Sequence, residues 1–368
     1  MATLLLVYRT GIVVIATAIG LASVGSAAES SPGCSAFGDA PAEVQRGAIS
    51  NLVSAHNPHC FKGKTIGPWK DASGDDRYAC LYEPDSSSAS LPLPLVVFLH
   101  GSMATADSIL VTGLVSRIGD ANLGGAKPGF ILLAPEGRRT SHYYPAPDDK
   151  ALGWDNWYRQ LSTSGDATIA GTTFPENADA AAIDHFVNQV IASGKVDTRR
   201  IYVMGWSNGA AMAILYALNR PSIAAAAVYS APNPFDAYND PCPQTPVAGK
   251  PVGNGELRVS NPQVPLMHVR NACDIGGICP NGDKLAGQLR AMKNDINDVI
   301  LDSDGKEVVK CDPSCGTNPN GGEPYSTAGG TAGFFHHLRW PKEWNDRMFA
   351  FLAVHTSAAP IPASIPIR

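Results

Sequence analysis

The chain has 368 residues, 44% hydrophobic and 17% charged, which is enough to bury the core of one large α/β domain or two small ones. Its formal net charge of −5 is spread along the chain without runs of like charge. This pattern argues against a nucleic-acid partner and against an anionic-membrane surface, and it leaves the oligomeric state open.

Residues 1–28 have the pattern of a secretory signal peptide. Arg9 supplies positive charge, residues 11–24 form an apolar run, and Ser26-Ala27-Ala28 resembles a cleavage site. Because the run is short for a membrane span, we expect a secreted protein, extracellular or periplasmic, with no stable membrane insertion after cleavage. An uncleaved anchor is the alternative.

The cysteine content fits export, because an even count in an exported chain is typical of disulfides. The eight cysteines are Cys34, Cys60, Cys80, Cys242, Cys273, Cys279, Cys311 and Cys315. Cys273 and Cys279, and likewise Cys311 and Cys315, are close enough in sequence to close small loops. We therefore expect reduction to lower stability and activity. A zinc site is the alternative, but the spacings are not Cys-x2-Cys, so we expect no metal.

Three regions are predicted after the leader. Residues 29–64 form an N-terminal extension pinned by disulfides, residues 65–355 form the catalytic domain, and residues 356–368 form a loose tail rich in Pro and Ala. An antiparallel strand is predicted at 77–82, buried strands are predicted at 93–99, 130–134, 200–204, 225–230 and 264–269, and a hairpin is predicted at 300–309. Helices are predicted at 182–191, 209–218, 285–299 and from Pro341, and loops at 138–176 and 311–333. This alternation predicts an α/β protein with a mostly parallel sheet covered by helices on both faces.

The sequence Gly205-Trp206-Ser207-Asn208-Gly209 follows a buried strand and precedes an alanine-rich helix. Gly-x-Ser-x-Gly in this context predicts a tight strand-to-helix turn that holds Ser207 clear of the sheet as a nucleophile. The glycines remove side chains that would clash in the turn, and the hydroxyl lies at the positive end of the helix. An ordinary tight turn is the alternative.

A serine nucleophile needs a histidine base that is oriented by a carboxylate, and in α/β-hydrolases these follow in the order Ser, acid, His. Asp274 comes just after a buried strand, and Asp236 is the main alternative acid. The pair His336 and His337 comes in a predicted loop before the last helix. Adjacent residues of an extended loop point to opposite sides, so only one of the two can be the base. We expect it to be His337, which the pattern His-x-x-Trp-Pro places just before the helix start, with His336 as the alternative.

Other residues complete the predicted site. The oxyanion donors are expected to be the backbone N–H groups of Asn208 and Ser102, and His100 is expected to brace the loop of Ser102. Three tryptophans, Trp154, Trp157 and Trp206, are expected to bind substrate. For the aromatic residues of the loop at 138–176, the alternative is a small hydrophobic cluster that stabilises its own loop. No cofactor is expected.

Three segments together resemble the secreted polyhydroxybutyrate depolymerase and feruloyl esterase-like α/β-hydrolases. They are residues 95–102 (LVVFLHGS), residues 196–209 (VDTRRIYVMGWSNG) and the turn 271–274 (NACD), within a resemblance that spans about residues 78–354. The chain departs from the family's usual pattern at His-Gly-Ser-Met and at His-His-Leu-Arg-Trp-Pro. The resemblance implies an α/β-hydrolase fold and ester hydrolysis without a cofactor.

The sequence therefore predicts a secreted serine esterase, a carboxylic ester hydrolase that acts through a Ser-His-Asp triad and an acyl-enzyme. A polyhydroxyalkanoate substrate, including a polymeric one, is favoured. The alternative is a feruloyl or acetylxylan esterase that acts on plant polysaccharide. A serine peptidase and a catalytically silent polymer-binding relative are further alternatives.

Overall fold

The structure is a computed structural model, and it describes residues 58–71, 76–102, 104–139, 152–154, 167–169, 172–174, 178–234, 259–275, 278–312 and 330–359. Several predicted features lie outside these residues: the signal peptide, Cys34, Cys242, Cys315, Asp236 and Trp157. In the part of the chain that is described, none of the helices is long and apolar enough to cross a bilayer.

One sheet of nine strands dominates the described residues. Its strands are β1 (Lys64–Lys70), β2 (Asp76–Tyr82), β3 (Leu93–Leu99), β4 (Ile131–Pro135), β9 (Val196–Trp206), β10 (Ala225–Tyr229), β11 (Leu266–Asn271), β12 (Asn297–Leu301) and β13 (Glu307–Val308). Two small antiparallel pairs lie outside it, β5 (Arg138–Arg139) with β6 (Leu152–Gly153) and β7 (Ala167–Ile169) with β8 (Thr172–Phe174).

The strands run in the order β1-β2-β4-β3-β9-β10-β11-β12-β13. The pairs from β4 through β12 are parallel, and antiparallel pairs occur at the two edges, where β2 joins β1 and β4 and where β12 joins β13. Parallel strands need crossover connections, and described α-helices lie in those from β4 to β9, from β9 to β10 and from β11 to β12. The architecture is the α/β-hydrolase fold that the sequence predicts.

Helices cover both faces of the sheet. The α-helices are α1 (Ala178–Ile191), α2 (Asn208–Asn219), α3 (Ile278–Ala291), α4 (Gly330–His337) and α5 (Asn345–Ala353). Successive side chains of β3 point to opposite faces, so Leu95 and Val97 join a core with α1, α2 and α3, whereas Val96 and Phe98 join a core with α5. Because β3 is buried on both faces, its sequence is an unbroken apolar run, as predicted.

Two element boundaries differ from the prediction. The expected helix at 285–299 is instead α3 followed by β12, because the helix ends at Ala291 and Lys293 takes a left-handed φ of 62°. The expected loop at 311–333 gives way to α4 at Gly330, which ends on His337. His337 therefore lies at the end of a helix rather than in an extended loop.

The two ends of the described chain are tied to the sheet. A disulfide joins Cys60 to Cys80 on β2. It lies beside the edge strand β1, and this strand was not predicted from the sequence. Near the other end, Ser357 N donates to Arg199 O at 2.8 Å, and Ser357 Oγ donates to Pro221 O at 2.8 Å. The first residues of the predicted loose tail are therefore held against the fold.

The expected small disulfide loops are wrong. Cys279, in the first turn of α3, is bonded to Cys311, which follows β13, with a Cα–Cα distance of 5.8 Å. Cys273 is also disulfide-bonded. Since a disulfide needs only that two Cα atoms come within about 7 Å, tertiary packing decides the partner rather than sequence spacing.

Candidate active site

The turn between β9 and α2 holds Ser207 in a strained backbone conformation. Its φ is 56° and its ψ is −123°, a region that non-glycine residues rarely occupy and that is found mainly at functional sites. Ser207 N donates to Tyr229 O at 3.0 Å, and Ser207 O accepts from Ala210 N at 2.9 Å. These bonds fix the turn to the neighbouring strand β10 and to the start of α2.

Gly205 and Gly209 allow this turn to lie close to the sheet. A Cβ on Gly209 would collide with the carbonyl groups of Leu99 and His100, and a Cβ on Gly205 would collide with the carbonyl of Gly209. The first turn of α2 therefore lies directly on the end of β3. The positive end of the α2 dipole then faces the Ser207 hydroxyl, where it favours negative charge.

A chain of hydrogen bonds connects Ser207, His337 and Asp274. The distance from His337 Nε2 to Ser207 Oγ is 2.8 Å, and that from His337 Nδ1 to Asp274 Oδ1 is also 2.8 Å. His337 is 6% exposed and Asp274 is 3% exposed, so little water competes for these bonds. Because a carboxylate only accepts, Nδ1 carries the proton and Nε2 is left to accept the proton of the serine.

Asp274 follows β11, and several groups hold its carboxylate. Ile275 N donates to Oδ1 at 2.8 Å, and Ser230 Oγ donates to Oδ2 at 2.6 Å. Helix α4 approaches this turn so closely that a Cβ on Gly333 would lie 3.0 Å from Asp274 O. This approach brings the last residue of α4, His337, to the acid.

The two adjacent histidines have different partners. His336 is partly exposed, and its Nδ1 lies 3.0 Å from Cys273 O, so this nitrogen donates to the carbonyl. Trp206 Nε1 donates to His337 O at 2.8 Å, and Tyr229 OH donates to His336 O at 2.8 Å. Of the two rings, the structure brings only that of His337 to Ser207 and Asp274.

Trp206 was expected to bind substrate, and it is only 8% exposed. Its indole meets Trp340 edge to face, with 6.1 Å between the ring centroids, while its Nε1 is bonded to the end of α4. Trp206 therefore supports the position of His337.

The loop after β3 lies against the nucleophile. A Cβ on Gly101 would lie 3.3 Å from Ser207 Cβ, so the backbone that leads into Ser102 lies against the turn of Ser207. His100 braces this loop, as expected: its Nε2 accepts from Gly137 N at 2.8 Å and its Nδ1 donates to Gly101 O at 2.8 Å. Complete burial lowers the pKa of His100 to about 4, so the ring is neutral at pH 7.

Trp154 has a different role from the predicted one. Its side chain is completely buried, so it offers no surface to a substrate. Its indole Nε1 donates to His100 O at 2.8 Å, and its backbone bonds at both N and O to the side-chain amide of Asn208. Trp154 and Asn208 together join the loop after β3 to the start of α2. The prediction considered substrate contact and a hydrophobic cluster within the loop, and neither anticipated these hydrogen bonds to His100 and Asn208.

Tyr229 and Ser230 were predicted only as part of a core strand, yet both contact the site. Catalytic groups of α/β proteins lie at the carboxyl ends of the strands, and Ser230 follows the end of β10. That positional rule could have identified it. Asp302 lies in the turn between β12 and β13, where its carboxylate accepts from Asp304 N and Lys306 N.

Comparison with known families agrees with this geometry. Residues 77–237 match the family model described as esterase PHB depolymerase. The predicted resemblance to the polyhydroxybutyrate depolymerase esterases is thereby confirmed, whereas the likeness to feruloyl esterases is not supported. The chain is a carboxylic ester hydrolase. The matched segment includes Ser207 and the loop of His100, and Asp274 and His337 follow it along the chain.

Solved structures of esterases also resemble the chain. Est2 of Thermogutta terrifontis is 12% identical with a TM-score of 0.46, covering 70% of this chain and 86% of its own. A thermostable esterase is 16% identical with a TM-score of 0.45, covering 81% of this chain and 64% of its own. None of the curated proteins matches the chain. The fold assignment rests on the strand order described above.

Proposed function

We propose that the protein is a serine esterase in which Ser207 is the nucleophile, His337 the general base and Asp274 the residue that orients the base. The observation that carries the proposal is the hydrogen-bonded chain from Ser207 through His337 to Asp274, at distances of 2.8 Å each. A serine hydroxyl becomes nucleophilic when a base accepts its proton, and a carboxylate keeps that base in the required tautomer.

In the proposed reaction, Ser207 Oγ attacks the ester carbonyl as its proton passes to His337 Nε2. The tetrahedral intermediate collapses to an acyl-enzyme, and the proton on Nε2 goes to the departing alcohol oxygen. Water then attacks the acyl-enzyme with His337 again accepting a proton, which releases the acid and restores Ser207. Asp274 stabilises the imidazolium that forms in each half of the reaction.

The negative charge on the intermediate would be met by the backbone N–H groups of Asn208 and Ser102. Asn208 begins α2 directly after Ser207. The loop after β3, which contains Ser102, lies against Ser207 at Gly101. Backbone donors held in place before the reaction lower the barrier because they need little reorganisation. The buried Trp154 joins the loop after β3 to the start of α2, through its bonds to His100 O and to the side-chain amide of Asn208.

We propose a hydroxyalkanoate ester, including a polyester, as the substrate. The description of the matching family supports this class. Turnover of p-nitrophenyl acetate, p-nitrophenyl butyrate, methyl ferulate and dispersed polyhydroxybutyrate should be compared, and we expect release of hydroxybutyrate from the polymer. Preference for methyl ferulate would contradict this substrate and favour a feruloyl esterase.

The Ser207→Ala variant tests the reaction itself. It should fold with an unchanged circular dichroism spectrum, lose at least about a thousandfold in kcat and no longer react with a fluorophosphonate probe. The wild type should be labelled at Ser207. Near-normal turnover by the folded variant would contradict the proposal, and failure of the wild type to label would favour a silent relative. Cleavage of peptides in preference to esters would favour a peptidase.

We also propose that the protein is exported. The disulfides Cys60–Cys80 and Cys279–Cys311 support this, because such bonds persist in oxidising compartments. The mass of the protein recovered outside the cytoplasm should correspond to a chain that begins close to residue 29. A full-length mass would favour the uncleaved anchor.

A further inference from the structure

The dipeptide Tyr229-Ser230 lies at the carboxyl end of β10, in the interior of the site. Ser230 is completely buried and has a left-handed φ of 54°, which is uncommon for serine. Its backbone N donates to Val269 O at 2.8 Å, so the turn is held against the neighbouring strand β11. A buried hydroxyl and a strained backbone at one position, next to the acid, call for a physical explanation.

This dipeptide contacts all three segments that carry the proposed triad. Tyr229 O accepts from Ser207 N at 3.0 Å. Tyr229 OH donates to His336 O at 2.8 Å, which holds the end of α4. Ser230 Oγ donates to Asp274 Oδ2 at 2.6 Å. Two consecutive residues therefore set the relative positions of the nucleophile turn, the helix of the base and the acid.

We propose that Ser230 is a positioning residue for the reaction, acting through Asp274, an inference that rests on the function proposed above. A carboxylate that is hydrogen-bonded through one oxygen can still turn about its Cβ–Cγ bond, and bonds to both oxygens restrict that rotation. Here Oδ1 accepts from His337 Nδ1 and Ile275 N, and the hydroxyl of Ser230 bonds Oδ2. This second anchor fixes the carboxylate plane so that Oδ1 stays directed at the base.

The same bond stabilises the negative charge of Asp274. A short hydrogen bond from a hydroxyl to a carboxylate is among the strong ones, and burial makes its loss costly. Without it, the less stabilised carboxylate would hold the proton of His337 Nδ1 more strongly. The acidic limb of the kcat/KM profile should then move to higher pH.

The charged and titratable groups around this cluster lie at the ends of three elements and in the segment that follows α4. Asp274 follows β11, His336 and His337 end α4, and Tyr229 ends β10; Arg339 and Glu343, further along the chain, act on Tyr229. Burial raises the pKa of Tyr229, and the charge of Asp274 raises it further. Tyr229 therefore stays protonated and keeps its hydrogen bond to His336 O across the working pH range.

Three substitutions at Ser230 separate its hydroxyl from its backbone. Ser230→Ala and Ser230→Gly both remove the hydroxyl, but glycine accepts the positive φ, so it should fold at least as stably as alanine. Ser230→Cys keeps a weak donor. We expect kcat on p-nitrophenyl butyrate to fall about tenfold in Ala and Gly and less in Cys, with KM unchanged within about twofold.

Ser357→Ala is the matched control. This serine is also mostly buried, and its hydroxyl donates to Pro221 O, but it lies at the opposite ends of the strands. Loss of the Ser357 hydroxyl should lower the melting temperature without changing kcat or the pH profile of kcat/KM. We expect kcat to depend on whether residue 230 has a hydrogen-bond donor in its side chain. We expect the melting temperature to depend instead on how well residue 230 tolerates the positive φ.

The outcomes distinguish this inference from the proposed function. Full kcat and an unchanged pH profile in folded Ser230→Ala and Ser230→Gly would overturn it, as would a loss of kcat that only follows the loss of stability. If Ser207→Ala abolishes turnover while the Ser230 variants are fully active, only the positioning role fails. If Ser207→Ala is itself active, the proposed function fails.

Discussion

Two neighbouring histidines end α4, and their different partners predict different phenotypes. His337→Ala removes the group that lies 2.8 Å from both Ser207 Oγ and Asp274 Oδ1, so kcat should fall by at least about a thousandfold. His336→Ala removes only a hydrogen bond to Cys273 O, so it should lose no more than about tenfold. Parallel rate measurements on the two purified variants provide the test.

Thermal melting of the same two variants is the control, because a destabilised protein would also lose activity. An inactive His336→Ala beside an active His337→Ala would reverse the assignment of the base and leave the reaction class unchanged. The order Ser, acid, His could be predicted from the sequence. The orientation of the rings could not, because it depends on α4 and on its approach to Asp274 at Gly333.

The disulfide between α3 and the end of the β12–β13 hairpin should affect both stability and rate. It closes a separation of 32 residues, so replacing Cys279 and Cys311 by serine should lower the free energy of unfolding by about 3 kcal/mol. Asp312 N also donates to Ala272 O at 2.9 Å, two residues before Asp274. We therefore expect a lower kcat as well, measured after urea unfolding at 25 °C confirms that the variant is folded.

The Cys60–Cys80 bond provides the matched control. Its separation of 20 residues predicts a similar stability loss, but it joins the segment before β1 to β2, at the far edge of the sheet from Asp274. Replacing these two cysteines by serine should leave kcat unchanged in the folded protein. Equal losses of kcat in the two double variants would show that the rate effect is global rather than local to the acid.

Elements with strong local signals could be predicted, and those that depend on tertiary contacts could not. The apolar run of β3 and the Gly-x-Ser-x-Gly turn carry their information in adjacent residues. Helix α4 begins in a Gly-rich stretch that local propensity assigns to a loop, and its packing on the Asp274 turn stabilises it instead. The Cys279–Cys311 pairing depends likewise on how α3 meets the hairpin.

The stability of the whole domain should fall in mild acid because of His100. Burial lowers the pKa of this group from 6.5 to about 4, so between these values the unfolded chain binds a proton that the folded chain does not. Stability therefore decreases as pH falls through this window, by about 2 kcal/mol between pH 7 and pH 5. Urea unfolding at several pH values measures this dependence.

The His100→Gln variant provides the comparison, since glutamine can accept from Gly137 N but does not titrate. Its stability should depend less steeply on pH than that of the wild type over the same window. Burial also lowers the pKa of His185 and His355, so a smaller slope should remain in the variant. Parallel slopes for the two proteins would exclude His100 as the cause.

The attachment of Ser357 has a consequence for engineering. Ser357 is bonded to Arg199, near the start of β9, whereas Ser207 follows the end of the same strand. At about 3.3 Å per residue, Arg199 and Ser207 are about 25 Å apart. A tether or fusion that directly follows residue 359 would therefore leave the protein from the side opposite Ser207. If the protein is immobilised in this way, Ser207 faces away from the support. A particulate substrate that is too large to enter the support could then still reach it.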